Sequence, residues 1–133
     1  MERKDFILRE IEKISVLLLY LIGKFVPSKS IEELQQTEKL INDEFKEAFG
    51  NNLNYILKLE EKDFDSEFSQ KKGFNFENIE LLADLLYTIG NDEIKTKPDY
   101  LHKALLIYEY IDKKSKTFSF ERINKINDLR SII

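Results

Sequence analysis

The stretch "NFENIELLADLLYTIG", residues 75–90, decides the fold class of this chain. Asn75 suits the N-cap position, because its side-chain oxygen can accept a hydrogen bond from an amide in the first helical turn. The apolar residues behind it recur at the spacing of one helix face, namely Ile79, Leu82, Ala83, Leu86 and Ile89. Gly90 follows, and glycine commonly ends helices. The stretch therefore predicts a helix over 76–89 with one face turned to a core.

The same signs predict helices along the rest of the chain. Ser30 and Glu33 form a capping-box pattern, Pro98 suits a first helical turn, and Ser119 can cap the last helix. The predicted helices lie near 3–25, 31–49, 53–59, 61–72, 76–89, 98–115 and 120–132. No run shows the alternation of a strand or a hairpin turn. We expect a single all-α domain over 1–133, a bundle of about seven helices in which short connections make neighbours antiparallel.

The composition describes a soluble globular domain. Of the 133 residues, 42% are hydrophobic and 35% are charged, and no cysteine is present, which excludes disulfides and thiolate metal sites. The net charge of −4 is unevenly distributed, with +2 over 1–31, −10 over 32–93 and +4 over 94–133. This acidity argues against nucleic acid as a partner, because clustered Lys and Arg are needed to bind a phosphate backbone.

The most apolar run, "ISVLLLYLIGKFV" (14–26), falls in the first predicted helix. It is shorter than the ~20 apolar residues that a membrane span needs, and the acidic residues before it do not fit a signal peptide. We therefore expect a cytoplasmic protein without membrane association. The apolar residues occupy more than one side of this helix, which predicts a central helix covered by several others. If the run 16–22 is left uncovered, its apolar excess favours a homodimer through the first helix.

The start of the chain resembles a family of short all-helical bacterial proteins. The shared signature is Asp–aromatic–aliphatic–x-Arg-x-Ile-Glu, carried here by Asp5, Phe6, Arg9, Ile11 and Glu12. The likeness continues through "NYILKLEEKDFDSEF" and "ENIELLADLLYTIG". The resemblance implies a bacterial source and an all-helical fold, and it implies no activity.

The second half resembles a tetratricopeptide-like helical hairpin. The matching positions are Leu82, Ala83 and Leu86 in the first helix and Ala104, Tyr108 and Ile111 in the second. Ala83 and Ala104 lie farther apart than in the motif, because "NDEIKTKPD" lengthens the turn, and the closing proline of the motif is missing. The resemblance implies antiparallel helical hairpins of the kind that bind proteins.

No group of residues forms a recognisable catalytic or metal-binding pattern. His102 is the only histidine, so the chain cannot supply the two carboxylate–histidine pairs of a bundle di-metal site, even though Asp99 shares its helix face. The four glycines are isolated, which removes the usual phosphate-binding loops. We assign no catalytic residue, no metal ligand and no cofactor, and interpret His102 as a partly exposed residue on a packing helix.

The favoured function is a non-enzymatic helical adaptor or protein-interaction module. The alternative is a small-ligand-binding protein or enzyme with a pocket between helices. The hairpin resemblance places ligand-facing residues on the fifth helix at Glu77, Glu80, Asp84 and Tyr87. Asp84 has poor helix propensity and repels Glu80 one turn away, a local cost that fits a site for a cation and equally an ordinary solvated face. The hypothesis is that this acidic face receives a Lys- or Arg-rich peptide, such as the basic tail of another copy, with Tyr87 as an aromatic anchor.

Overall fold

The computed structural model describes residues 2–25, 30–71, 73–92 and 95–132, with side chains from residue 5 onward. These residues form helices and no strand, which confirms the prediction of an all-α fold. The seven helices are α1 (Glu2–Lys24), α2 (Ile31–Phe49), α3 (Leu53–Lys58), α4 (Phe64–Gln70), α5 (Phe76–Gly90), α6 (Pro98–Lys114) and α7 (Phe120–Ile132). None of the described helices combines the length and apolar composition needed to cross a membrane.

The caps that the sequence indicates are present at both ends of helices. The Asn75 side chain accepts a hydrogen bond from the amide of Asn78 at 2.9 Å, and the Ser119 hydroxyl accepts one from the amide of Arg122 at 3.2 Å. Gly50 has a left-handed backbone with φ 83° after α2. Since these local bonds satisfy otherwise orphaned backbone groups, they explain why the predicted and observed helix limits agree closely.

Among the described residues, the helix predicted over 61–72 is shorter in the structure, and position 72 lies outside them. Glu60 and Asp63 close a reciprocal capping box around a 3₁₀ turn at Glu61–Asp63, and α4 begins only at Phe64. The chain then turns at Gly73, where φ is 86° and an added Cβ would lie 2.8 Å from the backbone of Glu10. Close approach of α1 therefore requires glycine at this position.

Helices α5 and α6 form an antiparallel pair at the centre of the fold. The Lys97 amide donates to the Gly90 carbonyl at 2.8 Å where α6 begins, and Tyr108 in the last half of α6 bonds to Asp84 in the middle of α5. Helix α1 packs on α5 and α7 packs on α6. Buried side chains occur on more than one side of α5, at Ile79, Leu82, Ala83, Leu85, Leu86 and Ile89.

Helix α1 is not the central helix, so that prediction is wrong. Its Ile14, Leu18 and Leu21 are buried against the core, whereas Val16 is 60% exposed and Leu19 is 56% exposed. Only α5 and α2 make substantial contact with α1 among the described elements. The helix covered on several sides is α5, and the apolar excess of α1 lies on its outward face.

A buried polar residue joins α1 to α5. Asn78 is fully buried, and its Nδ2 donates to the carbonyls of Ile11 at 3.0 Å and Gly73 at 2.6 Å. Its Oδ1 accepts a hydrogen bond from the Ser15 hydroxyl at 2.6 Å. Because a buried amide is costly unless its donors and acceptors are satisfied, this set of bonds fixes how α1 lies against α5.

Candidate interaction surfaces

The four residues of the predicted acidic face have different surroundings. Glu77 is exposed in the first turn of α5, and Tyr87 is half-buried and packs against the core. Glu80 and Asp84 are partly buried and bond to side chains of α6 and α7. The structure therefore brings Glu80 and Asp84 together on one side of α5, facing the basic residues of α7.

Asp84 is bonded within the chain by two donors. Its Oδ1 accepts hydrogen bonds from the Tyr108 hydroxyl and, at 2.8 Å, from the Lys125 ammonium group. These partners lie 24 and 41 residues away in sequence. The charge-assisted bonds offset the poor helix propensity of aspartate at this mid-helix position. Asp84 is thus explained by contacts inside the fold.

Tyr108 stays protonated because of where it lies. Burial, together with the adjacent charge of Asp84 and the hydrogen bond to that carboxylate, raises the pKa of Tyr108 far above its usual value near 10. Its hydroxyl therefore still donates to Asp84 above pH 10, where an ordinary tyrosine loses its proton.

Arg122 connects α7 to both helices of the central pair. The side chain is 4% exposed, and its Nη1 donates to Glu80 at 2.9 Å. Its Nε and Nη2 donate to Asp112 at 3.2 Å, and Nη2 also donates to the Thr117 carbonyl. No capping or catalytic pattern in the sequence identifies this arginine. The available signal was its position in the stripe Arg122, Ile126 and Leu129, where an arginine shares the buried face of a helix.

Helix α7 therefore supplies the cations that the hypothesis assigned to a separate peptide. Arg122 pairs with Glu80, and Lys125 pairs with Asp84. A basic segment from another molecule would have to displace α7 to form the same ion pairs. Glu77 remains exposed. Two of the four predicted residues are thus already paired with α7, and only part of each side chain is exposed.

An apolar cleft lies where α4 and the start of α5 meet the end of α6. It encloses about 540 Å³ and is lined mainly by aromatic and aliphatic side chains, namely Phe68, Phe74, Phe76, Ile79 and Tyr110. Asp65 stands at its polar side, where it accepts a hydrogen bond from the Tyr110 hydroxyl at 2.8 Å and pairs with Lys114 at 3.3 Å. The bond from Tyr110, followed by the one from Lys114, holds the pKa of Asp65 below its usual value. The carboxylate is therefore ionised and already neutralised by the chain.

His102 is exposed on α6, as is Asp99 one turn before it. Among the described residues, no group of three or more His, Asp and Glu side chains is placed to hold a metal ion. The structure brings no further functional group of the described chain to His102, which leaves its interpretation as a surface residue of a packing helix unchanged.

Two exposed aromatic rings lie close together where the link after α6 meets α7. Phe118 and Phe120 are 69% and 74% exposed, and their centroids are 4.7 Å apart in an edge-to-face arrangement. Neither ring contributes to the buried core. Phe118 lies in the link and Phe120 is the first residue of α7, so the pair is a small apolar surface at the start of a helix.

The outward face of α1 is the more extended apolar surface. We define it by Val16, Leu19, Tyr20 and Gly23, which recur at helical spacing and are all exposed. The three side chains are 60%, 56% and 44% exposed in that order. Lys24 borders this face, with its Nζ 5.2 Å from the centroid of the Tyr20 ring. An apolar stripe on a rigid helix with a charged edge is the usual form of a helix-docking surface.

Comparison of the chain with protein-family models, with curated proteins and with solved structures gives no match.

Proposed function

We propose that the protein is a non-enzymatic, cytoplasmic protein-interaction module whose docking surface is the outward face of α1. The observation that carries this proposal is the exposure of Val16, Leu19 and Tyr20 on a helix whose other face is anchored in the core. Exposed apolar side chains gathered on one rigid face are stabilised when a partner covers them.

The acidic face of α5 is the weaker choice for that surface. Glu80 and Asp84 are ion-paired with α7. A competing partner would have to remove Arg122 from its buried position and replace its hydrogen bonds, which costs free energy. The outward face of α1 needs no rearrangement of the fold to receive a partner. A basic peptide as partner therefore remains a proposal that depends on displacement of α7.

Site-specific photocrosslinking in the native cell tests the docking surface. A benzophenone amino acid replaces Leu19 on the outward face, and a matched control places it at Glu121, which is exposed on α7. We expect discrete crosslinked species from position 19 that are absent from position 121. Crosslinks that are missing at position 19, or identical at both positions, would contradict the proposal.

The alternative function, binding of a small ligand, is favoured by the apolar cleft beside Tyr110. A cleft with aromatic walls suits an apolar compound, and its one carboxylate, Asp65, is already paired with Lys114. A thermal-shift screen with such compounds tests it. A rise in Tm that is lost in Phe68→Ala, but kept in the exposed variant Phe120→Ala, would favour ligand binding over protein interaction.

A further inference from the structure

We propose that the outward face of α1 binds the same face of a second copy of this chain, with the two α1 helices antiparallel. The inference rests on the proposed docking surface and adds the identity and orientation of its partner. Three features of the face lead to it: its flanking charges, its glycine and its limited apolar area.

Two of the flanking charges, Glu12 and Lys24, are complementary only in the antiparallel orientation. Glu12 is exposed one turn before Val16, and Lys24 is exposed one turn after Tyr20. An antiparallel register centred on Leu18 places the Glu12 of each copy opposite the Lys24 of the other, twice by two-fold symmetry. A parallel register would instead place like charges opposite each other, which is destabilising.

The same register matches the apolar side chains. Val16 of one copy lies opposite Tyr20 of the second copy, and the two Leu19 side chains flank the centre of the contact. An isologous contact of this kind closes on itself, because each copy uses the same residues and leaves no second face for further addition. The expected assembly is therefore a dimer and not a filament.

Packing among the described residues does not require Gly23, which suits a close helix contact. A Cβ built at Gly23 meets no atom within 4 Å, and its φ is not in the left-handed region. Packing among the described residues therefore leaves room for a side chain at this position. A glycine in its place lets a second helix approach the backbone closely.

The apolar area is modest, so the dimer should depend on concentration. Three apolar side chains per copy cover less than the roughly 800 Å² per partner of a standard interface. Sedimentation equilibrium from about 1 to about 500 µM spans the range of affinities that such a contact allows.

The test uses charge reversal on the outward face. Variants E12K and K24E each place like charges in the antiparallel contact, and we expect each to raise the Kd of dimerisation at least about tenfold. An equimolar mixture of E12K with K24E restores both attractive pairs and should return the Kd to within about threefold of the original protein. The matched control E47K changes an exposed glutamate on α2 and should leave the Kd unchanged. Circular dichroism verifies that all variants remain folded.

Three results would overturn the inference. A protein that stays monomeric over the whole range excludes the second copy as partner. A dimer that E12K and K24E weaken no more than E47K uses another surface. If neither variant alone weakens the dimer, but their mixture dimerises at least about tenfold more tightly than the original protein, the contact is parallel, because like charges already face each other in a parallel dimer of the original protein. In each case the crosslinking at position 19 distinguishes failure of the dimer from failure of the docking surface. A crosslink from position 19 to a different protein would support the docking surface and reject the second copy as its partner.

Discussion

Leu18 and Leu19 are neighbours in sequence with opposite environments. Leu18 is fully buried between α1 and the core, whereas Leu19 is 56% exposed on the outward face. Truncating a buried leucine removes its transfer free energy and leaves a cavity. Substitutions at these two adjacent residues therefore probe the buried face and the outward face of α1 separately.

We expect Leu18→Ala to lower the free energy of unfolding by about 2–5 kcal/mol. Leu19→Ala, the matched control in the same turn, should change it by less than about 0.5 kcal/mol in the monomer. Urea unfolding followed by circular dichroism at low protein concentration measures both. A loss below about 1 kcal/mol for Leu18→Ala would show that α1 does not pack on α5 as described.

Tyr108 makes stability sensitive to alkaline pH. Its pKa is raised in the folded protein by burial and by Asp84, so above pH 10 the unfolded chain releases the phenolic proton while the folded chain keeps it. The unfolded state then binds fewer protons, and the free energy of unfolding falls as pH rises, by at most about 1.4 kcal/mol per pH unit for this group.

Substituting Tyr108→Phe should remove that contribution. We expect its free energy of unfolding to fall less steeply than that of the original protein between pH 10 and 11, as measured by urea unfolding at each pH. Other titrating groups, such as Tyr110 with its pKa raised to about 12 and Lys103 with its pKa lowered by burial, are present in both proteins and cancel in the comparison. Equal slopes would place Tyr108 in contact with solvent.

At the scale of elements, α7 is held largely by polar contacts. Ile126 and Leu129 are its buried apolar residues, and Arg122 and Lys125 join it to Glu80 and Asp84 of α5. Because those carboxylates are partly exposed, they can be rehydrated when α7 leaves, so each pair contributes less than a fully buried pair would. We therefore expect α7 to be the helix whose attachment depends most on charge.

Reversing both acids, E80K with D84K, should release α7 while the α5–α6 pair stays folded. Hydrogen exchange measured by mass spectrometry should show loss of amide protection confined mainly to 120–132. Adding R122E and K125E should restore part of that protection, and the exposed control E77K should not reduce it. Protection of α7 that survives the double reversal would mean that its apolar residues alone hold it.

Local sequence signals are enough to predict the helices. The contacts between helices that are distant in sequence could not be predicted from it. Asn75, Ser119 and Gly50 act on backbone groups within a few residues, so their roles could be predicted from the sequence. Arg122 bonds to Glu80 across 42 residues, which no periodicity or capping pattern encodes. The acidic residues of α5 can be read from the sequence, but their bonds to α7 depend on tertiary packing.

At the scale of the whole molecule, the position of α1 shows the same limit. Its apolar pattern predicts burial on several sides, yet only the side facing α5 and α2 is covered within the chain. Periodicity reports how many faces of a helix are apolar, but not whether the same chain or another one covers them. The resemblance to tetratricopeptide hairpins likewise remains a prediction beyond the antiparallel α5–α6 pair.

The pairing of basic α7 with acidic α5 has a consequence before folding begins. Residues 32–93 carry −10 and residues 94–133 carry +4, so the unfolded chain is a polyampholyte with charge in blocks. Opposite blocks attract across the denatured ensemble, while the acidic block repels itself, and salt weakens both effects.

Fluorescence energy transfer in the urea-unfolded chain measures this directly, since the absence of cysteine allows labels at introduced cysteines. Raising salt should lengthen the mean distance between positions 69 and 124, which span the two blocks, and shorten that between 36 and 69 within the acidic one. If salt changes both distances in the same direction, the acidic and basic blocks do not attract each other in the unfolded chain. Attraction in the unfolded chain would keep the segment that forms α7 close to the segment that forms α5. The two segments would then have a shorter distance to diffuse before they pack together.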